Sequence, residues 1–334
     1  MSKKTYLQAI NEGISQEMRR DKSIILLGED IAGGQGATGE VGGVGSVFGQ
    51  MKGVYKEFGP ERVIDTPISE SAIIGAAAGA ALTGLRPVAE IMFVDFVGVC
   101  FDQIYNQTAK FRYMFGGKAK TPLVIRTTIG AGLRAAAQHS QTLHPLFTMV
   151  PGLKVVIPSN PYDAKGLLIQ AIRDDDPVVF MESKALFGME GEVPDEAYRI
   201  PFGEAAIVRD GADITIVAFG AMVSRALAVA EALAKQGINA EVLDPRTTSP
   251  LDEDSILESV EKTGRLVVVD ESPPRCSLAA DIAGMVADKG FRYLKGPIKQ
   301  VTCPHTPVPF SPTLEDEYIP NARRIEEAIR AVLA

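Results

Sequence analysis

Val63-Ile64-Asp65-Thr66-Pro67-Ile68-Ser69-Glu70-Ser71-Ala72-Ile73-Ile74-Gly75-Ala76-Ala77-Ala78-Gly79-Ala80-Ala81-Leu82-Thr83-Gly84-Leu85-Arg86-Pro87-Val88-Ala89-Glu90-Ile91-Met92-Phe93 is the stretch whose reading decides the fold. Val63 to Asp65 reads as a strand. Ala72 to Leu82 reads as a helix of small residues closed near Gly84, and Val88 to Phe93 as a second strand. Strand, helix and strand in succession imply a mostly parallel sheet. The turn from Asp65 to Ser71 then lies where open α/β sheets place their ligand-binding loops, with Glu70 at the helix start.

The same alternation extends in both directions. Tyr6, Ile10, Ile14 and Met18 recur every four residues as the stripe of an amphipathic helix, and Ile24 to Leu27 reads as a buried strand. Downstream, a helix is expected around Asp102 to Tyr113, with strands at Leu123 to Thr127, Lys154 to Ile157 and Pro177 to Met181. Pro161 opens a helix running to Arg173, because proline suits the first helical turn. A polar stretch rich in Gly, Pro and charge between Gly188 and Phe202 marks a domain boundary, giving domains at 1–195 and 196–334. In the second, strands at Ile214 to Phe219, Ala240 to Leu243 and Leu266 to Val269 alternate with helices at Val223 to Gln236 and Glu253 to Lys262. Gly237 and Gly264 close those helices.

Composition narrows the class. The 334 residues exceed one usual core at roughly 150 residues per domain, so two α/β domains are expected. Apolar residues at 46% and charged residues at 23% fit a globular protein. A net charge of −8 and a pI near 5.1 argue against a nucleic-acid partner, which would call for clustered Lys and Arg. Cys100, Cys276 and Cys303 are odd in number and lack metal-ligand spacing, which disfavours a disulfide framework or zinc and suits a reducing cytoplasm. Met1 to Arg20 has no continuous apolar core of a signal peptide, and Ala72 to Leu82 is half the length of a bilayer span. No membrane partner is expected.

Two glycine motifs mislead if read alone. Between Gly33 and Gly53 nine of 21 residues are glycine. Gly34, Gly36 and Gly39 match a dinucleotide fingerprint, but the helix that should follow is missing, so a loop approaching a ligand or partner is the better reading. Asp210-Gly211 with Asn239 imitates a magnesium-diphosphate motif. Arg209 replaces its first glycine, and the pair precedes a strand, whereas phosphate sites lie at carboxyl ends. Any diphosphate must be held by another chain. Glu70 by position alone is a carboxylate at the positive end of a helix dipole, worth roughly 0.3–1 kcal/mol.

Leu27-Gly28-Glu29-Asp30, the Asp65 to Ser71 turn, Gly84-Leu85-Arg86-Pro87, Gln138-His139-Ser140-Gln141 and Pro151-Gly152-Leu153-Lys154-Val155-Val156 follow in order along the chain. With this set the sequence resembles, over essentially its whole length, the β subunits of 2-oxo acid and acetoin dehydrogenase complexes. The resemblance implies an N-terminal pyrimidine-binding thiamine diphosphate fold and a C-terminal transketolase-like domain, both doubly wound α/β. It implies that Glu70 hydrogen-bonds a nitrogen of the aminopyrimidine ring and so promotes deprotonation of the thiazolium carbon. Glu29, Met92 and Phe96 are implied beside the same ring. Strand-end acids are commonly solvated, and Met or Phe beside a strand is often ordinary core.

His139 is implied to steer acyl transfer to lipoamide, where a group titrating near neutrality can move a proton; a structural hydrogen-bonding role is the plainer alternative. His144 lies close enough in sequence to enter the same site. The segment Ala171-Ile172-Arg173-Asp174-Asp175-Asp176-Pro177 resembles a potassium-binding turn. Its implied ligands are Leu123, Ala171, Ile172, Asp174 and Asp176, and the alternative is an acidic helix end.

The resemblance further implies a thiamine diphosphate shared with an α subunit that holds Mg²⁺, an α₂β₂ heterotetramer, and a lipoyl-bearing dihydrolipoamide acetyltransferase core. Phe93-Val94-Asp95-Phe96-Val97-Gly98-Val99-Cys100-Phe101, Arg134 to His139 and Thr142 to Phe147 look most like acetoin dehydrogenase β subunits. The implied reaction is cleavage of acetoin to acetaldehyde with acetyl transfer to lipoamide. Met149 departs from the histidine expected there in acetoin enzymes, and pyruvate or a branched-chain 2-oxo acid is the alternative substrate. A purely assembling subunit would need neither Glu70 nor His139.

Overall fold

The computed structural model describes residues 1–33 and 45–334. The Gly34, Gly36 and Gly39 motif therefore lies outside the described residues. Seven strands form the first sheet, in the order Thr247–Ser249, Lys154–Val156, Val178–Ser183, Val124–Ile129, Arg86–Phe93, Ile24–Glu29 and Val63–Thr66. Every neighbouring pair is parallel except the first.

Side-chain alternation explains why these strands read as continuous apolar runs. Ile24 and Leu26, Val178 and Phe180 point into one core, while Ile25 and Leu27, Val179 and Met181 point into another. A sheet covered on both faces has no solvent side on which a strand can place polar residues. The first face is covered by the helices Tyr6–Arg20 and Pro161–Arg173, the second by Glu70–Leu82. Thr5 opens the first of these helices with a reciprocal cap: its hydroxyl accepts from the Gln8 amide at 3.2 Å, and Gln8 Oε1 accepts from the Thr5 amide at 2.8 Å.

The second sheet runs Lys299–Thr302, Leu266–Asp270, Ile214–Ala218, Ala240–Asp244 and Ala206–Arg209, with only the last strand antiparallel. The helices Ala221–Ala234 and Ala322–Leu333 pack one of its faces into the core that also holds Tyr6, Ile24 and Phe180. The two units thus share apolar packing. They also share a strand, because Thr247–Ser249 leaves the second unit to pair with Lys154–Val156 of the first.

One expected helix is replaced. In place of a single helix over Asp102 to Tyr113, a helix Val97–Asp102 widens into a π-helical turn over Gln103–Thr108, followed by a short turn Phe111–Met114. The Thr108 hydroxyl donates to the Gln103 carbonyl at 2.8 Å and the Ala109 amide to the Ile104 carbonyl at 3.0 Å, both five residues back. Gly116 and Gly117, at φ 61° and 80°, end the segment. Among the described residues no helix is long and apolar enough to cross a membrane.

Candidate active site

Four neighbouring parallel strands, Val124–Ile129, Arg86–Phe93, Ile24–Glu29 and Val63–Thr66, end on one edge of the first sheet. Such carboxyl ends form the ligand crevice of open α/β sheets. Glu29 closes its strand, and Asp65 Oδ1 accepts the Ala32 amide at 2.6 Å, tying the loop after Glu29 to the next strand. Asp65 is thereby a structural tie.

Glu70 is the first residue of the helix Glu70–Leu82 and is half-buried. Ser69 makes no side-chain cap on that helix, and its hydroxyl donates to the Pro67 carbonyl at 3.0 Å. The helix start is thus left for the Glu70 carboxylate, which accepts no hydrogen bond among the described residues. Burial raises the Glu29 carboxyl above its ordinary range, and the charges of Asp30 and Glu70 raise it further. Two neighbouring carboxylates, one without a partner, fit a group that brings a proton or positive charge, such as a protonatable aminopyrimidine.

On the next strand, the pairing register slips between Ile91 and Phe93, so that Met92 sits at an irregularity beside Thr128, whose hydroxyl donates to the Met92 carbonyl at 2.5 Å. Such a bulge re-aims side chains at the end of a strand. The 3₁₀ turn Val94–Phe96 follows, and the Ser71 hydroxyl donates to the Val99 carbonyl at 2.6 Å. The start of the Glu70 helix is thereby fastened next to the segment carrying Phe96.

Phe96 meets His139 edge-to-face, with ring centroids 5.2 Å apart and planes at 86°. Phe93 meets the same imidazole at 4.7 Å, and Phe48 backs Phe93 at 5.8 Å. His139 is therefore a half-buried imidazole walled by aromatic rings. The structure packs Phe96 against His139 and leaves Glu29 within electrostatic reach of Glu70.

The loop that carries His139 is held by groups that sequence patterns do not single out. Asp95 Oδ1 accepts the Gln141 amide at 3.2 Å and its side chain at 2.8 Å. Lys184, 3% exposed, donates from Nζ to the His139 carbonyl at 2.8 Å, and its ammonium lies 5.1 Å from the centre of the Phe93 ring. Burial lowers the Lys184 ammonium to about 8, with Asp95, Glu271 and Glu315 opposing the shift. Asp95, set among apolar residues in Phe93-Val94-Asp95-Phe96, carried a readable signal; Lys184 did not.

His144 does not join this group. It is buried between the two units, with Nε2 3.1 Å from Asp270 Oδ2, and Asp270 also accepts the Ser272 hydroxyl at 2.6 Å. Asp210 accepts from Lys262 at 2.9 Å on the surface.

At the acidic turn, Lys154 Nζ lies 2.7 Å from both Asp174 oxygens and Arg112 pairs with Asp176. Arg86 donates to the carbonyls of Ile172 at 2.9 Å and Asp174 at 2.5 Å. The Ala171 carbonyl accepts the Asp174 amide at 3.2 Å and that of Leu123 the Val178 amide at 2.9 Å. Side-chain cations thus already balance the aspartates that sit unfavourably at a helix C-terminus. Among the described residues no cluster of three or more His, Cys, Asp or Glu side chains is arranged to hold a metal.

Comparison with known proteins follows the same division. The family described as "Transketolase, pyrimidine binding domain" matches residues 2–189, and "Transketolase, C-terminal domain" matches residues 203–325. The chain is 66% identical over 325 residues, 97% of this chain and 96% of the relative, to the acetoin:2,6-dichlorophenolindophenol oxidoreductase subunit beta of Cupriavidus necator. It is 59% identical over 319 residues, 95% of this chain and 93% of the relative, to the subunit of the same name in Bacillus subtilis. To the pyruvate dehydrogenase E1 component subunit beta of Bacillus subtilis it is 44% identical over 334 residues, covering 100% of this chain and 99% of that one. A solved split-gene transketolase, an inactive β4 tetramer, superposes with a TM-score of 0.78 over 98% of this chain and 97% of its own. At 24% identity that likeness is one of fold.

Proposed function

The chain belongs to the family of β subunits of thiamine diphosphate-dependent 2-oxo acid and acetoin dehydrogenases, and on that premise we propose that with an α subunit it cleaves acetoin and passes the acetyl unit to a lipoyl group. The bond between the carbonyl and carbinol carbons of acetoin breaks. The carbinol half leaves as acetaldehyde. The acetyl half becomes a thioester on one lipoyl sulfur as the disulfide is reduced, the second sulfur taking the proton.

The observation that carries this reading is the half-buried Glu70 carboxylate, unpartnered among the described residues, at a helix start within electrostatic reach of Glu29. Thiamine diphosphate, when bound, supplies the nucleophilic carbon and accepts the electron pair released by cleavage. Glu70 hydrogen-bonds the ring nitrogen of the aminopyrimidine and holds a proton there, while Glu29 adds negative charge beside it. Phe96 and Met92 offer the ring apolar contact. His139, held by its aromatic walls, exchanges the proton that acyl transfer to the lipoyl sulfur requires.

The diphosphate and its Mg²⁺ belong to the α subunit in an α₂β₂ assembly that serves a lipoyl-bearing acetyltransferase core. A potassium ion at the acidic turn would take the carbonyls of Leu123, Ala171 and Ile172 with Asp174 and Asp176, in competition with the Arg86, Lys154 and Arg112 side chains that bond this turn.

Co-expression with the α subunit and measurement of dye reduction with acetoin, pyruvate and 2-oxoisovalerate tests the substrate. Acetoin is expected to give the highest kcat/KM. Preference for pyruvate or 2-oxoisovalerate would leave the roles of Glu70 and His139 standing and overturn the substrate.

A further inference from the structure

The loop 130–141 leaves the first sheet and returns without any regular element of its own. Two of its residues with side chains, Arg134 and Ala136, adopt left-handed backbone at φ 59° and 62°. Each such residue costs energy unless its surroundings fix it. Asp95 and Lys184 of the first unit hold its His139 end; its Ala131 to Arg134 end is held from the second unit.

Glu271 follows the strand Leu266–Asp270, and its Oε1 accepts the Ala131 amide at 2.6 Å. Glu315, 0% exposed on the helix Pro312–Tyr318, accepts the Gly132 amide at 2.9 Å and the Arg134 amide at 3.2 Å. Arg134 then reaches back: Nη1 donates to Glu315 Oε2 at 2.6 Å and to the Pro312 carbonyl at 3.1 Å, and Nη2 to Asp316 Oδ1 at 2.7 Å. Three amides of one loop, those of Ala131, Gly132 and Arg134, thus close on two buried carboxyl groups; charge-assisted bonds such as those between Arg134 and Glu315 are about twice as strong as neutral ones.

We propose that Glu315 is a positioning residue for His139: with Arg134, and assisted by Glu271, it clamps the loop 130–141 so that the imidazole stands where acyl transfer needs it. The C-terminal domain thereby serves the reaction without touching substrate. A carboxylate suits the task, since it accepts from both amides and the guanidinium at once, whereas an amide side chain has one accepting oxygen. This inference rests on the reading of His139 as the group that assists transfer to the lipoyl sulfur.

The experiment compares wild type, Glu315→Gln, Arg134→Gln, His139→Ala and the Glu315→Gln/His139→Ala double variant, each assembled with the α subunit. Two rates are read with acetoin: reduction of a dye, and acetyl transfer to free lipoamide. In Glu315→Gln and Arg134→Gln the ratio of lipoamide to dye rate is expected to fall by about ten-fold or more. The double variant should be no worse than His139→Ala alone, because a residue acting through another adds nothing once that other is gone. A general structural defect would lower both rates together and overturn the clamp, as would fully additive losses. Arg134 is partly exposed, so its variant carries the test if Glu315→Gln fails to fold. If His139→Ala leaves the ratio unchanged, the underlying reading of His139 falls; if only the clamp variants leave it unchanged, the clamp alone falls.

Discussion

Replacing Lys184 with Met separates the part a buried charge plays in positioning the His139 loop from its contribution to stability. Lowering the ammonium from the ordinary 10.5 to about 8 corresponds to roughly 3 kcal/mol of penalty on the charged form, at about 1.4 kcal/mol per tenfold in proton affinity. Against this stand a charge-assisted hydrogen bond to the His139 carbonyl, worth about 1.5–3 kcal/mol, and the Phe93 cation–π contact, worth about 1 kcal/mol. The terms nearly cancel, and Met fills a similar volume. Lys184→Met is therefore expected to change unfolding free energy at pH 7 by no more than about 2 kcal/mol while lowering acetyl transfer to lipoamide. A lysine depressed in the folded state adds stability above its ordinary value and loses it as pH falls through about 8. The Met variant should accordingly gain on wild type between pH 10 and pH 7. Urea titrations at both pH values, with the transfer assay alongside, check this. A loss well above 3 kcal/mol, a gap independent of pH, or unchanged transfer would refute the reasoning.

Other consequences are more local. Phe96→Ala removes one aromatic wall from His139 and one from the crevice, so half-saturation by thiamine diphosphate in the assembled enzyme is expected to need about ten-fold more cofactor; an unchanged requirement would remove Phe96 from the site. Asp244, raised to about 7 chiefly by burial, makes wild type lose stability as pH rises through that range. The advantage of wild type over Asp244→Asn should therefore shrink from pH 5 to pH 8, by roughly 2.5 kcal/mol at most, as read by thermal unfolding. Gly152→Ala, at φ 99° with its Cβ 2.0 Å from the Ala109 carbonyl, should destabilise by about 2 kcal/mol or more; calorimetry finding no change would contradict the close approach.

Much of this was legible because the physics involved is local. Strands such as Ile24–Glu29 and Val178–Ser183, buried on both faces, show as apolar runs, and the stripe Tyr6, Ile10, Ile14 and Met18 is all core. Gly152 within Pro151-Gly152-Leu153 has its reason in the Ala109 carbonyl. The π-helical turn at Gln103–Thr108 was hidden, since a hydroxyl bonding five residues back leaves no period in the sequence. The last helix, Ala322–Leu333, buries Ile325, Ile329 and Val332 at helical spacing and could have been read. At the site, Glu29, Glu70, Phe96 and His139 stood in motifs. Glu271 and Glu315 act across the two units, more than 100 residues from the loop they hold, and nothing near them in sequence announces it.

The most direct test of the central claim is Glu70→Gln, assembled with the α subunit and assayed for acetoin-dependent dye reduction with thiamine diphosphate and Mg²⁺ at saturation. The amide keeps the volume and can still bond the ring, but it cannot hold the proton. The expected result is intact assembly and cofactor binding with a fall in kcat of about 100-fold or more. Undiminished turnover would show that the carboxylate at the start of the Glu70 helix does not activate the cofactor.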